Sequence, residues 1–491
     1  MITRVQSFTF AGIEAIPVTV EAHISAGIPS FIVVGLADKA VGEARERVRC
    51  AFASLGLALP PKRILVNLVP ADIPKEGSHF DLPIALALLC GMGVIPSDAL
   101  EQCAALGELS LDGHINPVSG ALSAAICAAE KDLSLICPAP QGQEAQWASE
   151  ELPVYAAADL TQMIAHFQGR QVLSAPAPLT LHPPAPEPDL ADVKGMSVGR
   201  RALEIAAAGG HSLLMIGPPG AGKSMLAARM ASIMPDLDRH QILQVSRIYS
   251  LSGLLKDGQL ITRPPFRDPH HSLSLPALAG GGARARPGEV SLAQHGILFL
   301  DELPEFSRAC LEALRQPIET GTITVARAAH HVTYPAHFQL VAAMNPCRCG
   351  YLGDADRQCR KAPRCAEDYT ARISGPLMDR MDLAVFLKPA TPVELTRAAK
   401  GEASATVRQR VESARARQMA RQGVINARAN FEELNLTKDA RSRLEQIGTK
   451  LRLSARAMTR LVRVGRTLAD LADSPALEPT HLMEALAFRH R

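Results

Sequence analysis

The hydrophobic positions change period along the chain. From Val5 to Phe10, Ile16 to Val20 and Phe31 to Val34 they fall in short strand-like runs with period-two alternation, the signature of half-buried strands. Val41, Ala44, Val48, Ala51, Phe52 and Leu55 then recur at intervals of three and four, which predicts an amphipathic helix packed on that sheet. Residues 1–170 therefore read as an α+β domain. Residues 171–190 break the pattern with Ala175-Pro176-Ala177-Pro178, Pro183-Pro184 and Pro186-Glu187-Pro188, a stiff linker. Beyond it, 191–390 reads as α/β. Continuous apolar runs at Leu213–Ile216, Ile297–Leu300 and Phe338–Met344 predict buried strands, and Ala202–Ala207 and Met225–Met234 predict helices. In the last part, 391–491, Leu451–Leu471 carries Leu453, Ala457, Leu461 and Val464 on one helical face.

A chain of 491 residues has room for two or three domains. Its net charge of +3 announces no bulk attraction to nucleic acid, so any such role must come from local patches. The longest apolar stretch, Leu82–Ile95, contains Pro83 and glycines and falls short of the roughly 18 residues of a membrane span. Met1–Phe10 lacks the apolar centre of a signal peptide. A cytoplasmic location without membrane attachment is expected. Six of the ten cysteines are scattered singly, which suits reduced, buried thiols.

The chemistry centres on Gly217-Pro218-Pro219-Gly220-Ala221-Gly222-Lys223-Ser224, between a predicted strand and a predicted helix. The glycines let successive backbone amides turn toward one phosphate group, Lys223 reaches the β/γ-phosphates, and the Ser224 hydroxyl ligates Mg²⁺. The strand Ile297–Leu300 ends in Asp301 and Glu302, which suit the Mg²⁺ shell and the polarisation of an attacking water. A second strand ends in Asn345, placed to hold that water in line. Arg380, beside a predicted strand start, suits an arginine finger acting across a subunit boundary, with Arg372 as the competitor. Arg456 resembles in its placement the sensor-2 arginine of the AAA+ lid, a resemblance that implies contact with the γ-phosphate. In P-loop ATPases of the AAA+ class a segment in the place of Val193 and Lys194 wraps the adenine, and the same resemblance makes these two candidates for that wall.

Together, Gly217–Ser224, Leu300-Asp301-Glu302, Met344-Asn345-Pro346 and Asp379-Arg380-Met381-Asp382 resemble the AAA+ branch that contains the magnesium-chelatase ATPase subunits and the MCM helicases. In the first domain, Pro74–Ala87 and Gly107–Ala125 resemble the two active-site segments of the Lon protease domain. That alignment puts His79 where the nucleophilic Ser would stand, with Ser78 one residue off, and Leu122 in place of the Lys base. A Leu cannot take a proton, so an inactive Lon-like domain is expected and His79 is read as structural. The whole chain is similar to the magnesium-chelatase-like ComM/YifB family. The resemblance implies a P-loop AAA+ core with a helical lid behind a Lon-like domain. It also implies an ATP- and Mg²⁺-dependent hexameric ring that translocates on single-stranded or branched DNA. Branch migration in recombination and natural transformation, with recombination proteins as partners, is the implied role. The alternatives are a magnesium-chelatase-type ATPase that remodels a protein partner, and an ATP-dependent protease.

Two further stretches suit a DNA motor: one between the phosphate-loop helix and Asp301, with Arg284 and Arg286, and the alternating Gly321–Val332, with Arg327 and His330. Hairpins in a ring pore would grip phosphates by charge. Aromatic residues are too scarce, at 4%, for base stacking to dominate. Cys347, Cys349, Cys359 and Cys365 lie close enough in sequence to close a structural tetrahedral Zn²⁺ site. His270-His271 and His330-His331 lack helical ligand spacing and are read as hydrogen-bonding residues. The arginine-rich Val407–Arg428 is read as a solvated helix.

Overall fold

The structure, a computed structural model, describes residues 2–36, 38–176, 187–255, 259–282, 285–327, 330–352, 359–389, 391 and 400–489. It divides into two compact units. The first comprises Met1–Pro183, Ile242–Ile261 and Ala283–Arg286, and the second holds the remainder.

In the first unit, Ile2–Ala11 and Glu14–Ser25 form an antiparallel hairpin with Val5 opposite Val20. Its two-residue connection uses Gly12 at φ +65°. The hairpin lies inside a seven-stranded sheet, between Ser30–Val34 and Arg63–Val69 on one side and Cys103–Ala105, Ser134–Pro138 and Val154–Ala157 on the other. The predicted helix is Lys39–Ser54, capped by Asp38, whose carboxylate accepts from the Val41 amide at 2.8 Å. Its buried residues are five of the six that the periodicity marks out; the sixth, Leu55, is its C-cap and is only partly buried.

The stretch Leu82–Ile95 resolves into the helix Asp81–Gly91, buried from Asp81 through Cys90. It is a core helix, and no helix among the described residues is long and apolar enough to cross a membrane. The buried Asp81 carboxylate receives Arg47 through two bonds, 2.6 and 3.0 Å, and the Leu109 amide at 3.1 Å. Burial still pushes Asp81 above the usual carboxylate range, although Arg47 opposes it. The segment after the phosphate-loop helices belongs to this unit too. Arg247 donates to the Ile13 carbonyl at 2.7 Å and to Glu14, while Ser250 donates to the buried Glu144.

The second unit is built on a five-stranded parallel sheet in the order Phe266–Arg267, Ile297–Leu300, Gln339–Met344, Leu213–Ile216, Leu383–Phe386. The three predicted strands occupy its middle and are buried throughout, as sheets covered on both faces require. The strand bearing the phosphate loop lies beside the one ending at Asn345, whose other neighbour ends at Asp301. Parallel order thus brings three chemically loaded strand ends to one edge. The stretch Thr322–Arg327 and His330–Pro335 forms the expected antiparallel hairpin, with Arg327 opposite His330.

Two helix readings change. Met225–Met234 is two short helices, Lys223–Ala228 and Met230–Ile233, separated at Arg229. The periodicity of Leu451–Leu471 bridges a break: one helix, Lys438–Leu451, ends with Arg452 at φ +48°, and the next, Ala455–Leu471, starts under the Ser454 cap.

The arginine-rich helix Ser404–Gln422 is not a solvated one. Arg415 bonds the Ala207 carbonyl at 2.7 Å, and Arg408 bonds Ser232. Arg410 reaches Glu204 and Glu402, and Arg421 grips Asp470 at 2.8 Å. These carbonyls lie in helix ends whose last acceptors have no partner within the helix, so the long side chains act as caps reaching from a neighbouring element. Asp470, fully buried, also receives Arg466 at 2.8 Å and Asn426 at 2.8 Å.

Candidate nucleotide site

The phosphate loop is a backbone device before it is a charged one. Gly220 and Gly222 sit at φ +77° and +76°, a region costly for residues with a Cβ. A Cβ on Gly217 would stand 2.6 Å from the Leu387 carbonyl oxygen, so only glycine fits between the two strands.

Lys223 is buried and folds back over the loop. Its ammonium donates to the Gly217 carbonyl at 2.7 Å, the Pro218 carbonyl at 3.0 Å and Asn345 Oδ1 at 3.0 Å. Burial lowers its pKa from the ordinary lysine value, while Asp301 and Glu302 pull the other way. The residue after it, Ser224, donates through Oγ to Asp301 Oδ2 at 2.6 Å. A hydroxyl and a carboxylate thus converge from two separate elements at hydrogen-bond range. That donor set fits a Mg²⁺ ion, which these two residues would hold.

Glu302 adopts left-handed backbone, φ +52° and ψ +46°, and its amide bonds Asp301 Oδ1 at 2.9 Å. A non-glycine residue held there costs of order 1–3 kcal/mol and marks positions where surroundings dictate the conformation. Its carboxylate lies 3.5 Å from His271 Nδ1. The rings of His270 and His271 are 4.1 Å apart, and His270 Nδ1 bonds the Ser272 hydroxyl at 2.8 Å. Asp268 belongs to the same region: burial first, and then Asp301, push its pKa up. Sequence reading missed Asp268 and His271 as neighbours of the two acids. The edge strand that delivers them, Phe266–Arg267, has only two residues, too few to show a period.

Lys223, Ser224, Asp301, Glu302 and Asn345 therefore come together. The arginines do not join them. Arg380 pairs with Glu319 and the Pro376 carbonyl, and Arg456 reaches the same Glu319 at 3.3 Å. Arg372 bonds Glu305 at 2.8 Å. Val193 is fully buried.

The four thiols Cys347, Cys349, Cys359 and Cys365 lie within 4.8 Å of one another. A tetrahedral site with Zn–S bonds of about 2.3 Å needs sulfur separations just under 4 Å, so the donor set fits zinc. This cluster abuts the phosphate loop: a Cβ on Gly350 would meet Pro219 Cδ at 2.6 Å. Beside it, Arg348, Lys361, Arg364 and Arg372 line a cavity of about 540 Å³.

Of the proposed DNA contacts, Arg286 is exposed. Arg284 lies outside the described residues, as do the side chains of Arg327 and His330, whose backbone forms the hairpin. In the first unit, His79 is buried, with Nε2 at 2.8 Å from the Phe8 carbonyl. Ser78 bonds Glu108, and Leu122 is fully buried.

Three family models match in succession: "Subunit ChlI of Mg-chelatase" over residues 20–141, "Magnesium chelatase, subunit ChlI" over 189–395, and its C-terminal part over 401–489. The competence protein ComM of Haemophilus influenzae is 41% identical over 491 residues, covering 97% of this chain and 95% of that one. The chain belongs to the magnesium-chelatase-like ComM/YifB family. Another member, the YifB protein of Salmonella typhimurium, is 43% identical over 483 residues, with the same two shares covered. A more distant likeness, 24% over 175 residues, joins 36% of the chain to 17% of the DNA replication licensing factor mcm6 of Dictyostelium discoideum. Membership in this AAA+ family agrees with the parallel sheet and with the strand ends it aligns.

Proposed function

We propose that the chain is an ATPase that assembles into a ring, a hexamer, and drives itself along single-stranded or branched DNA. Branch migration in homologous recombination and natural transformation is the role assigned to it. The ATPase reading is carried by one observation, the meeting of Ser224 with Asp301 at 2.6 Å beside a Lys223 held by Asn345 at 3.0 Å.

Ser224 and Asp301 would hold Mg²⁺, which when bound neutralises charge on the β/γ-phosphates. Lys223 exchanges its carbonyl partners for phosphate oxygens. That exchange frees Asn345 Oδ1 to orient water. Glu302 accepts the proton of the water as its oxygen bonds to the γ-phosphorus and the bond from that phosphorus to the β,γ-bridging oxygen breaks, with ADP and inorganic phosphate as products, and Arg380 from a neighbouring subunit stabilises the charge that develops. The four cysteines would hold a structural zinc with no position left for water.

The DNA reading is supported by the hairpin Thr322–Pro335 and by relatives named for competence and for DNA replication licensing. The first unit is read as a Lon-like domain without peptidase activity. Ser78 is committed to a carboxylate, and the place of its base is a buried leucine. The match to magnesium-chelatase subunit models favours a second reading, a magnesium-chelatase-type ATPase acting on a protein partner.

The deciding experiment measures ATP turnover without DNA and with single-stranded, duplex and forked DNA, together with movement of a four-way junction. Stimulation by branched or single-stranded DNA with junction movement is expected. A rate indifferent to every nucleic acid, but raised by a partner protein, establishes the second reading instead.

A further inference from the structure

The two arginines given roles at the phosphates end on one carboxylate of their own chain. Glu319 Oε1 accepts from Arg380 Nη2 and from Arg456 Nη2. Arg380 Nη1 turns to the Pro376 carbonyl, its Nε is buried, and the side chain is only 11% exposed. A guanidinium meant to reach across a subunit boundary is here folded inward.

Glu319 stands at the root of the hairpin. It lies in the last turn of the helix Arg315–Thr320, and Gly321, at φ +69°, turns the chain directly into Thr322–Arg327. The root is closed by the Ala336 amide on the Gly321 carbonyl at 2.8 Å. It is also packed so closely that a Cβ on Gly321 would fall 1.8 Å from the His337 ring. A hairpin tied at both strands to so tight a root cannot tilt without carrying Glu319 along.

Glu319 brings one negative charge to two positive ones, and its side chain is 47% exposed. A half-solvated bridge of this kind is screened and weak, which suits a contact that must open during turnover.

We propose that Glu319 is a positioning residue that latches Arg380 and Arg456 in the resting subunit and releases them when the hairpin shifts on DNA. It thereby couples the pore to hydrolysis at the seam. This rests on the functional reading above, and the experiment separates the two. In assembled full-length protein, Glu319→Gln is expected to raise DNA-free turnover several-fold toward the DNA-stimulated rate, with the KM for ATP unchanged. The ratio of stimulated to unstimulated rate then falls toward one. Glu319→Asp, which keeps the charge but shortens its reach, should give an intermediate ratio; it is the variant to read if the glutamine form does not assemble.

A DNA-stimulated wild type whose ratio survives both substitutions overturns the latch alone. So does a fall in turnover both with and without DNA, since Glu319 would then support the arginines rather than restrain them. A wild type insensitive to every DNA overturns the functional reading and the latch with it.

Discussion

Each side chain at the nucleotide site has an alternative partner that it must give up. Lys223 is satisfied by two carbonyls and an asparagine, so Lys223→Ala removes a cation that the loop has already desolvated. Nucleotide binding or turnover is expected to vanish, as read by a fluorescent nucleotide and by phosphate release. Glu302→Gln keeps the shape and the left-handed backbone but takes no proton. Its kcat should fall by roughly 10²–10⁴-fold while ATP binding persists, trapping an assembled ring visible by size-exclusion chromatography. For Arg380→Ala, turnover should drop by about 10³-fold or more, with unaltered ATP affinity of an isolated protomer, because the target proposed for it lies on a neighbour. Wild-type turnover in that variant would move the finger to Arg372, now paired with Glu305.

Among elements, the helix Ser404–Gln422 teaches most. Its arginines read as solvent-facing, yet Arg415 is buried enough that desolvation lowers its pKa to about 10. The reason is geometric. The helix crosses the end of Ser197–Gly209, whose last carbonyls need donors, and an arginine stem can bury its methylenes while its head satisfies them. The group around Asp470 is the extreme case, a carboxylate with no exposed surface facing Arg421 and Arg466. Asp470→Ala strands at least one buried guanidinium and should cost about 3–5 kcal/mol, measured as a lowered urea midpoint at unchanged slope. The cysteine loop behaves as an element of its own. Removing the proposed zinc with a strong chelator should lower the melting temperature, and metal analysis should return one zinc per chain. Because Gly350 lies on Pro219, ATP affinity should weaken in parallel.

For the whole molecule, a formal charge of +3 over 491 residues leaves little long-range attraction for a polyanion. Binding must then depend on a few local cations, and its affinity should fall linearly in log–log form with salt, with a slope set by the number of phosphates neutralised. Replacing Arg327 should reduce that slope by about one without changing sequence preference, as read by anisotropy over a salt series. A slope near zero would place the DNA elsewhere or remove it. The interleaving of the chain between its units matters at this scale too. Ile242–Ile261 follows the nucleotide-loop helices in sequence but packs in the first unit, so the chain passes between the two units five times.

The phosphate loop, the paired acids and the asparagine strand were legible because each is local: a few consecutive residues of fixed type following an apolar run of strand length. Periodicity likewise marked the helix Lys39–Ser54, since one face of it is buried against one sheet. Only the folded chain decided that Glu319 would join Arg380 to Arg456, that His271 would face Glu302, and that arginines apparently made for water would close a neighbouring helix. Those pairings span from 31 to 208 positions of sequence separation. Charge on a side chain does not say which partner it meets, because that depends on how parallel strands and crossing helices bring distant residues within a few ångströms.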